Sequence, residues 1–143
     1  MPVAVCRLLA CLCVFVIATP AIAQDTKPIT LYEVFGVREP GLKGSELDAA
    51  VVKAAAFPLG SDQNPVRTKG PAGQRAYLAR LRCSNGQAPR VLGRMVGPPS
   101  PFNAVIDQYG VQCDGAEPVT VSMDMYHEHV ETRSVEGFTI AKP

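Results

Sequence analysis

The stretch Val119–His129, VTVSMDMYHEH, alternates side-chain character more cleanly than any other part of the chain. Val119, Val121, Met123, Met125, His127 and His129 share one parity; Thr120, Ser122, Asp124, Tyr126 and Glu128 share the other. Successive side chains of a strand point to opposite faces, so a period of two predicts a half-buried β-strand here. Immediately upstream, Ala104–Cys113 (AVIDQYGVQC) reads as a second strand, with Asp114-Gly115 supplying a turn. Aligning the apolar positions of the two pairs odd with odd. Val105, Asp107, Tyr109 and Val111 then face the same side as Val119 to Met125, and a slip of one residue would turn the apolar row to solvent. Asp107 is out of character on that face and needs an inward arginine or a tyrosine hydroxyl, because a buried unpaired carboxylate is costly.

Working outward, Arg90–Val96 predicts another strand behind a turn at Asn85-Gly86, and Gly97-Pro98-Pro99-Ser100-Pro101 a rigid loop with little tendency to pair. Arg75–Cys83 (RAYLARLRC) alternates in part and reads as a strand with a basic outer face; alanine, leucine and arginine make a short helix the alternative. Val135–Ile140 adds an edge strand. Toward the other end, Ile29–Phe35 (ITLYEVF) reads as a first strand and Gly36–Gly44 as a loop. Ser45 is placed to cap a helix over Glu46–Ala56, with Asp48 three residues on, and Pro58 stops it. Phe57–Gly73 is a long connection punctuated by glycine and proline, without the spacing of a phosphate-binding loop. The pattern is α+β: a small single domain with an antiparallel sheet of about four to six short strands and one helix near the N-terminus.

Met1–Ala23 has the form of a secretory signal: Arg7, an apolar run over Leu8–Ala18, Pro20, then Ala21-Ile22-Ala23 before Gln24. Residues 24–143 then form the single domain, exported to the periplasm or secreted, most simply from a bacterium. No other apolar run approaches the length of a membrane span. Of the five cysteines, Cys6, Cys11 and Cys13 fall in the signal. Cys83 and Cys113 remain, and in an oxidising compartment they are expected to form one disulfide.

The chain carries 14 lysines and arginines against 13 aspartates and glutamates, but unevenly. Between Gln63 and Ile106 stand seven basic residues and no acidic one; from Asp107 to the end acidic residues dominate. Basic middle strands beside acidic C-terminal ones would account for this through cross-strand pairing. Alternatively Arg80, Arg82, Arg90 and Arg94 make a face for an anion, since guanidinium forks suit phosphate and carboxylate. Without interleaved aromatics this is not a nucleic-acid surface.

For chemistry, Met123, Met125, His127 and His129 on one strand face would align two thioethers and two imidazoles, a donor set suited to copper. Equally, the methionines extend the apolar face of Val119 and Val121 into the core. Asp107-Gln108-Tyr109 and Asp124-Met125-Tyr126 repeat an acid–tyrosine spacing, but odd-with-odd pairing puts the two on opposite faces. Ser100 lies between prolines without a nucleophile elbow. The leading expectation is a non-catalytic binding protein for a protein partner or small ligand; the alternative is a soft-metal protein holding copper on the Met-x-Met-x-His-x-His strand.

Overall fold

The computed structural model describes residues 41–142. The expected signal over Met1–Ala23 and the expected strand over Ile29–Phe35 lie outside the described residues. In chain order the elements are α1 (Gly44–Ala54), β1 (Val66–Arg67), α2 (Gly70–Arg80), β2 (Leu81–Arg82), β3 (Arg90–Pro99), β4 (Val105–Gln112), β5 (Val119–Asp124) and β6 (Thr139–Ile140).

The β4–β5 pair is antiparallel with the expected parity, and the structure sets the register: Asp107 opposes Met123, Tyr109 opposes Val121 and Val111 opposes Val119. Odd therefore meets odd, and this face carries the core. Tyr109, Val111, Val121 and Met123 pack against Tyr77 and Leu78 of α2, Leu81 of β2, and Val135 and Phe138 of the C-terminal segment. β3 pairs antiparallel with β4, with register irregularities between Val91 and Gly93 and between Val96 and Pro99. β1 adds to the far side of β5 in parallel, so the four-stranded sheet is mixed, in the order β1-β5-β4-β3. β2 and β6 form a separate antiparallel pair. The molecule is thus α+β, with two helices among the described residues and one mixed sheet where a purely antiparallel sheet and one helix were expected.

Besides the edge strand expected over Val135–Ile140, of which only β6 forms and pairs with β2 outside the main sheet, and the cap of α1, three local readings change, each for a physical reason. Arg75–Cys83 is not a strand: residues 70–80 are helical and only Leu81–Arg82 is extended. Pro71 sits in the first turn, where proline is tolerated, and Gln74, Tyr77 and Leu78 are the buried residues. Their spacing is helical, and it overrides the alternation of Tyr77, Ala79 and Leu81, of which Ala79 is exposed. Second, the strand begun at Val119 ends at Asp124 instead of His129. The Asp124 carboxylate accepts from the backbone N–H groups of Tyr126 (2.8 Å) and His127 (3.2 Å), a local turn that competes with the ladder. Third, β3 runs on through Gly97, Pro98 and Pro99. A Cβ at Gly97 would stand 2.9 Å from side-chain carbons of Ile106 and Gln108, so glycine permits this approach. At the other helix, Ser45 does not cap: α1 begins at Gly44 behind Lys43, with no side-chain cap bond.

The Cys83–Cys113 disulfide is present, with Cα atoms 5.8 Å apart and the partners 30 positions apart in sequence. It ties the segment after β2 to the end of β4 beside the core cluster.

Candidate functional site

The odd-parity aspartate has its partners. Gln74, fully buried on α2, donates from Nε2 to Asp107 Oδ2 at 2.8 Å and accepts from the Tyr109 hydroxyl at 2.9 Å. Arg94 of β3, opposite Tyr109 in the register, brings its Nε to 3.6 Å from Asp107 Oδ1. Asp107 and Tyr109 are themselves buried. The result is a connected chain of polar groups, Arg94–Asp107–Gln74–Tyr109, between the helix and the sheet. A buried polar network is stable only when its members are satisfied, and here the two lone-pair-rich acceptors and the hydroxyl all have partners.

Above this network α2 and β3 diverge into a groove of about 460 Å³. Leu78, Ala79, Val91 and Pro89 supply apolar wall, Tyr109 lies at the base, and Arg75 and Arg94 bring two guanidinium groups to the lining. Among the described residues no acidic one lines it. Val91 is 50% exposed despite facing the same side as Val111. An apolar concavity with a few convergent polar groups is the usual form of a ligand site. A larger groove, about 670 Å³, lies between the end of α1 and Pro98–Pro101, with Lys53 and Asp62 in its lining. Asp62 Oδ1 there is already taken by the Gln108 amide and the Ser122 hydroxyl. A third, about 410 Å³, separates α2 from His129–Glu131.

The remaining residues singled out from the sequence separate. Arg80 donates to the Glu131 carbonyl and lies over the Tyr77 ring. Arg82 donates to the carbonyls of Ala79 and Leu81, and Arg90 to Gln112 Oε1 at 2.7 Å. Of the four arginines only Arg94 lines the α2–β3 groove. The charge asymmetry of the chain resolves in part as intramolecular pairing, through Arg94–Asp107 and Lys69–Glu128.

Because β5 stops at Asp124, Met123, Met125, His127 and His129 do not form one exposed row. Met123 is fully buried in the core, Met125 is half-buried, and His129 is exposed. His127 is buried with both ring nitrogens facing acceptors: Nδ1 is 2.6 Å from Asp124 Oδ2 and Nε2 is 3.0 Å from the Leu42 carbonyl oxygen. The Phe102 ring meets it edge-on. Among the described residues no group of three or more histidines, cysteines, aspartates or glutamates is placed to hold a metal ion. Asp124 and Tyr126 stand apart from Asp107 and Tyr109, as the odd-with-odd register requires.

Next to this region the segment after β5 is pinned to α2. The Tyr77 hydroxyl donates to the Arg133 carbonyl at 3.0 Å. Burial, reinforced by the nearby Glu131 carboxylate, pushes the Tyr77 hydroxyl well above the usual tyrosine range, so it remains a donor. For Glu131, burial works to raise the carboxyl, but hydrogen bonds and charge from Arg133 outweigh it and hold the group below the ordinary range. Arg133 is raised in turn, chiefly by its bond to Glu131.

Sequence reading missed Gln74, Arg75 and Val91. The signal for Gln74 was its helical spacing to Tyr77 and Leu78; nothing local marks Arg75 or Val91, whose proximity depends on α2 lying beside β3. Compared with protein-family models, curated proteins and solved structures, the chain matches none.

Proposed function

We propose that the chain is an exported, non-catalytic binding protein whose site is the α2–β3 groove. The observation that carries the reading is the pairing of apolar walls with two guanidinium groups and, among the described residues, no carboxylate in the lining. Such a groove suits a ligand with an apolar body and an anionic group. The floor supports binding over catalysis: Asp107, Gln74 and Tyr109 are engaged with one another, and Arg94 is fixed beside them. Export, to the periplasm or beyond the cell, is supported by the Cys83–Cys113 disulfide and by the leader-like residues 1–23. Among the described residues no helix is long and apolar enough to cross a membrane.

Anilinonaphthalene sulfonate, an apolar dye with one fixed negative charge, is a direct probe. Its fluorescence should rise on binding the full chain. Arg75→Ala with Arg94→Ala should weaken it about tenfold, since each lost charged contact is worth about a kilocalorie per mole or more. Val91→Asp should weaken it comparably by placing a carboxylate in the groove. Unchanged dye affinity in both variants would refute the assignment.

A further inference from the structure

The groove is continuous with a second feature, the outer edge of β3. Among the described residues β3 is the last strand of the sheet, ten residues long, with no neighbour beyond it. Edge strands of this length are normally kept short, charged or covered, because their unpaired N–H and C=O groups invite another strand. β3 is also apolar on both faces. Val91 and Val96 pair with Val111 and Asp107 and so face α2; Met95 pairs with Gln108 and faces the reverse side. Leu92 lies on the reverse side too, against the position a Gly110 side chain would fill. Val91, Leu92 and Val96 are each 50% exposed and Met95 66%.

We propose that β3 accepts an extended segment of a partner protein, with acidic and apolar side chains alternating, as a fifth strand of this sheet. The proposal rests on the groove being the binding site and names the class of partner it takes. A small amphiphile would fill the groove but leave Leu92, Met95 and the backbone edge uncovered. An added strand covers all three: alternate side chains enter the groove against Leu78 and Val91, and the others lie on Leu92 and Met95. Charge selects the partner. Arg75 and Arg94 line the groove beside the edge, Arg90 stands at the start of β3 where it donates to Gln112, and among the described residues neither β3 nor the groove lining holds a carboxylate. A second copy of β3 would set arginines against arginines, which is unfavourable across strands, whereas glutamates or aspartates facing the groove meet Arg75 and Arg94. The two register irregularities leave Gly93–Val96 as the regular stretch. Pro98 and Pro99 lack the N–H needed to continue. Together these features confine the partner strand to one register and discourage indiscriminate stacking.

The test uses the full chain and a short, blocked, fluorescein-labelled peptide in which glutamate and valine alternate along the strand, so that the glutamates face the groove and the valines lie over Leu92 and Met95. Fluorescence anisotropy should show binding. Arg75→Glu, on an exposed helix position, and Met95→Glu, on the reverse face, should each weaken it about tenfold. N-methylation of one alternate set of peptide amides should abolish binding and methylation of the other set should leave it, because only one set faces β3. Equal binding of the two methylated peptides, or indifference to Met95→Glu, would overturn strand addition. So would self-association of the chain through β3, seen as a dimer in sedimentation that Met95→Glu dissociates. If the sulfonate dye still responds to the groove substitutions while the peptide fails to bind, strand addition falls and the groove reading stands. If neither probe responds, both fall.

Discussion

Gln74→Met removes both polar contacts of a fully buried side chain at nearly constant volume. Asp107 Oδ2 loses a charge-assisted hydrogen bond of 2.8 Å, and the Tyr109 hydroxyl loses its acceptor at 2.9 Å. Arg94 cannot replace the first without moving, since its Nε stands 3.6 Å from the other carboxylate oxygen. A buried polar group left unsatisfied costs about 1–3 kcal/mol, and a charged one more, so the two together should remove about 3–5 kcal/mol. For a domain whose total stability is about 5–15 kcal/mol that is a large fraction. Urea unfolding of the oxidised protein, followed by circular dichroism, measures it. Adding Tyr109→Phe to Gln74→Met should recover about 1–2 kcal/mol, because the orphaned hydroxyl is removed. A loss below about 1 kcal/mol in the single variant, or no recovery in the double, would mean that this network does not hold α2 to the sheet.

Glu131 is held below the ordinary carboxylate range, so the stability it contributes is fully present above about pH 4.3, the ordinary glutamate value, and is lost as pH falls through the lower folded value. Arg133→Met should therefore lower stability at neutral pH and flatten the acid limb of a stability–pH profile; an unchanged limb would contradict the pairing. Reducing Cys83–Cys113, whose partners stand 30 positions apart in sequence, should lower stability by about 3–4 kcal/mol, read from urea midpoints with and without reductant. His127→Phe keeps the contact with Phe102 but strips a buried carboxylate of its ring partner, and should cost about 2–3 kcal/mol by the same assay. Gly60→Ala should be destabilising in thermal melts, because Gly60 has φ +87° and a Cβ there would stand 2.6 Å from Val135 Cγ1.

The parity of the β4–β5 pairing was readable, and with it the need of Asp107 for an inward partner. Burial on one face of a strand pair excludes every slip by an odd number of residues, because each would turn Val111, Val121 and Met123 to solvent, while the choice among even registers falls to the turn and the packing. The disulfide was readable because only two cysteines remain beyond the leader-like segment. The helix at Gly70–Arg80 was not: its eleven residues satisfy both periods in part, and the choice falls to whichever face finds a core, here Gln74, Tyr77 and Leu78 against Tyr109. The end of β5 was likewise hidden, since the Asp124 carboxylate ends the strand by turning back on its own backbone, so the expected row from Met123 to His129 does not share one strand.

Neighbours along the chain therefore carry strand parity, turn positions, the cysteine pair and the basic bias of the middle segment. Packing is what makes Arg94 the arginine that meets Asp107, lets Gln74 bridge Asp107 to Tyr109, and sets Arg75 and Val91 in one groove. These contacts join residues of α2 to residues of β3 and β4, at sequence separations up to 35. Distance along the chain carries no information about them until packing brings the helix onto the sheet, because periodicity specifies which face a side chain takes and not which element will cover that face.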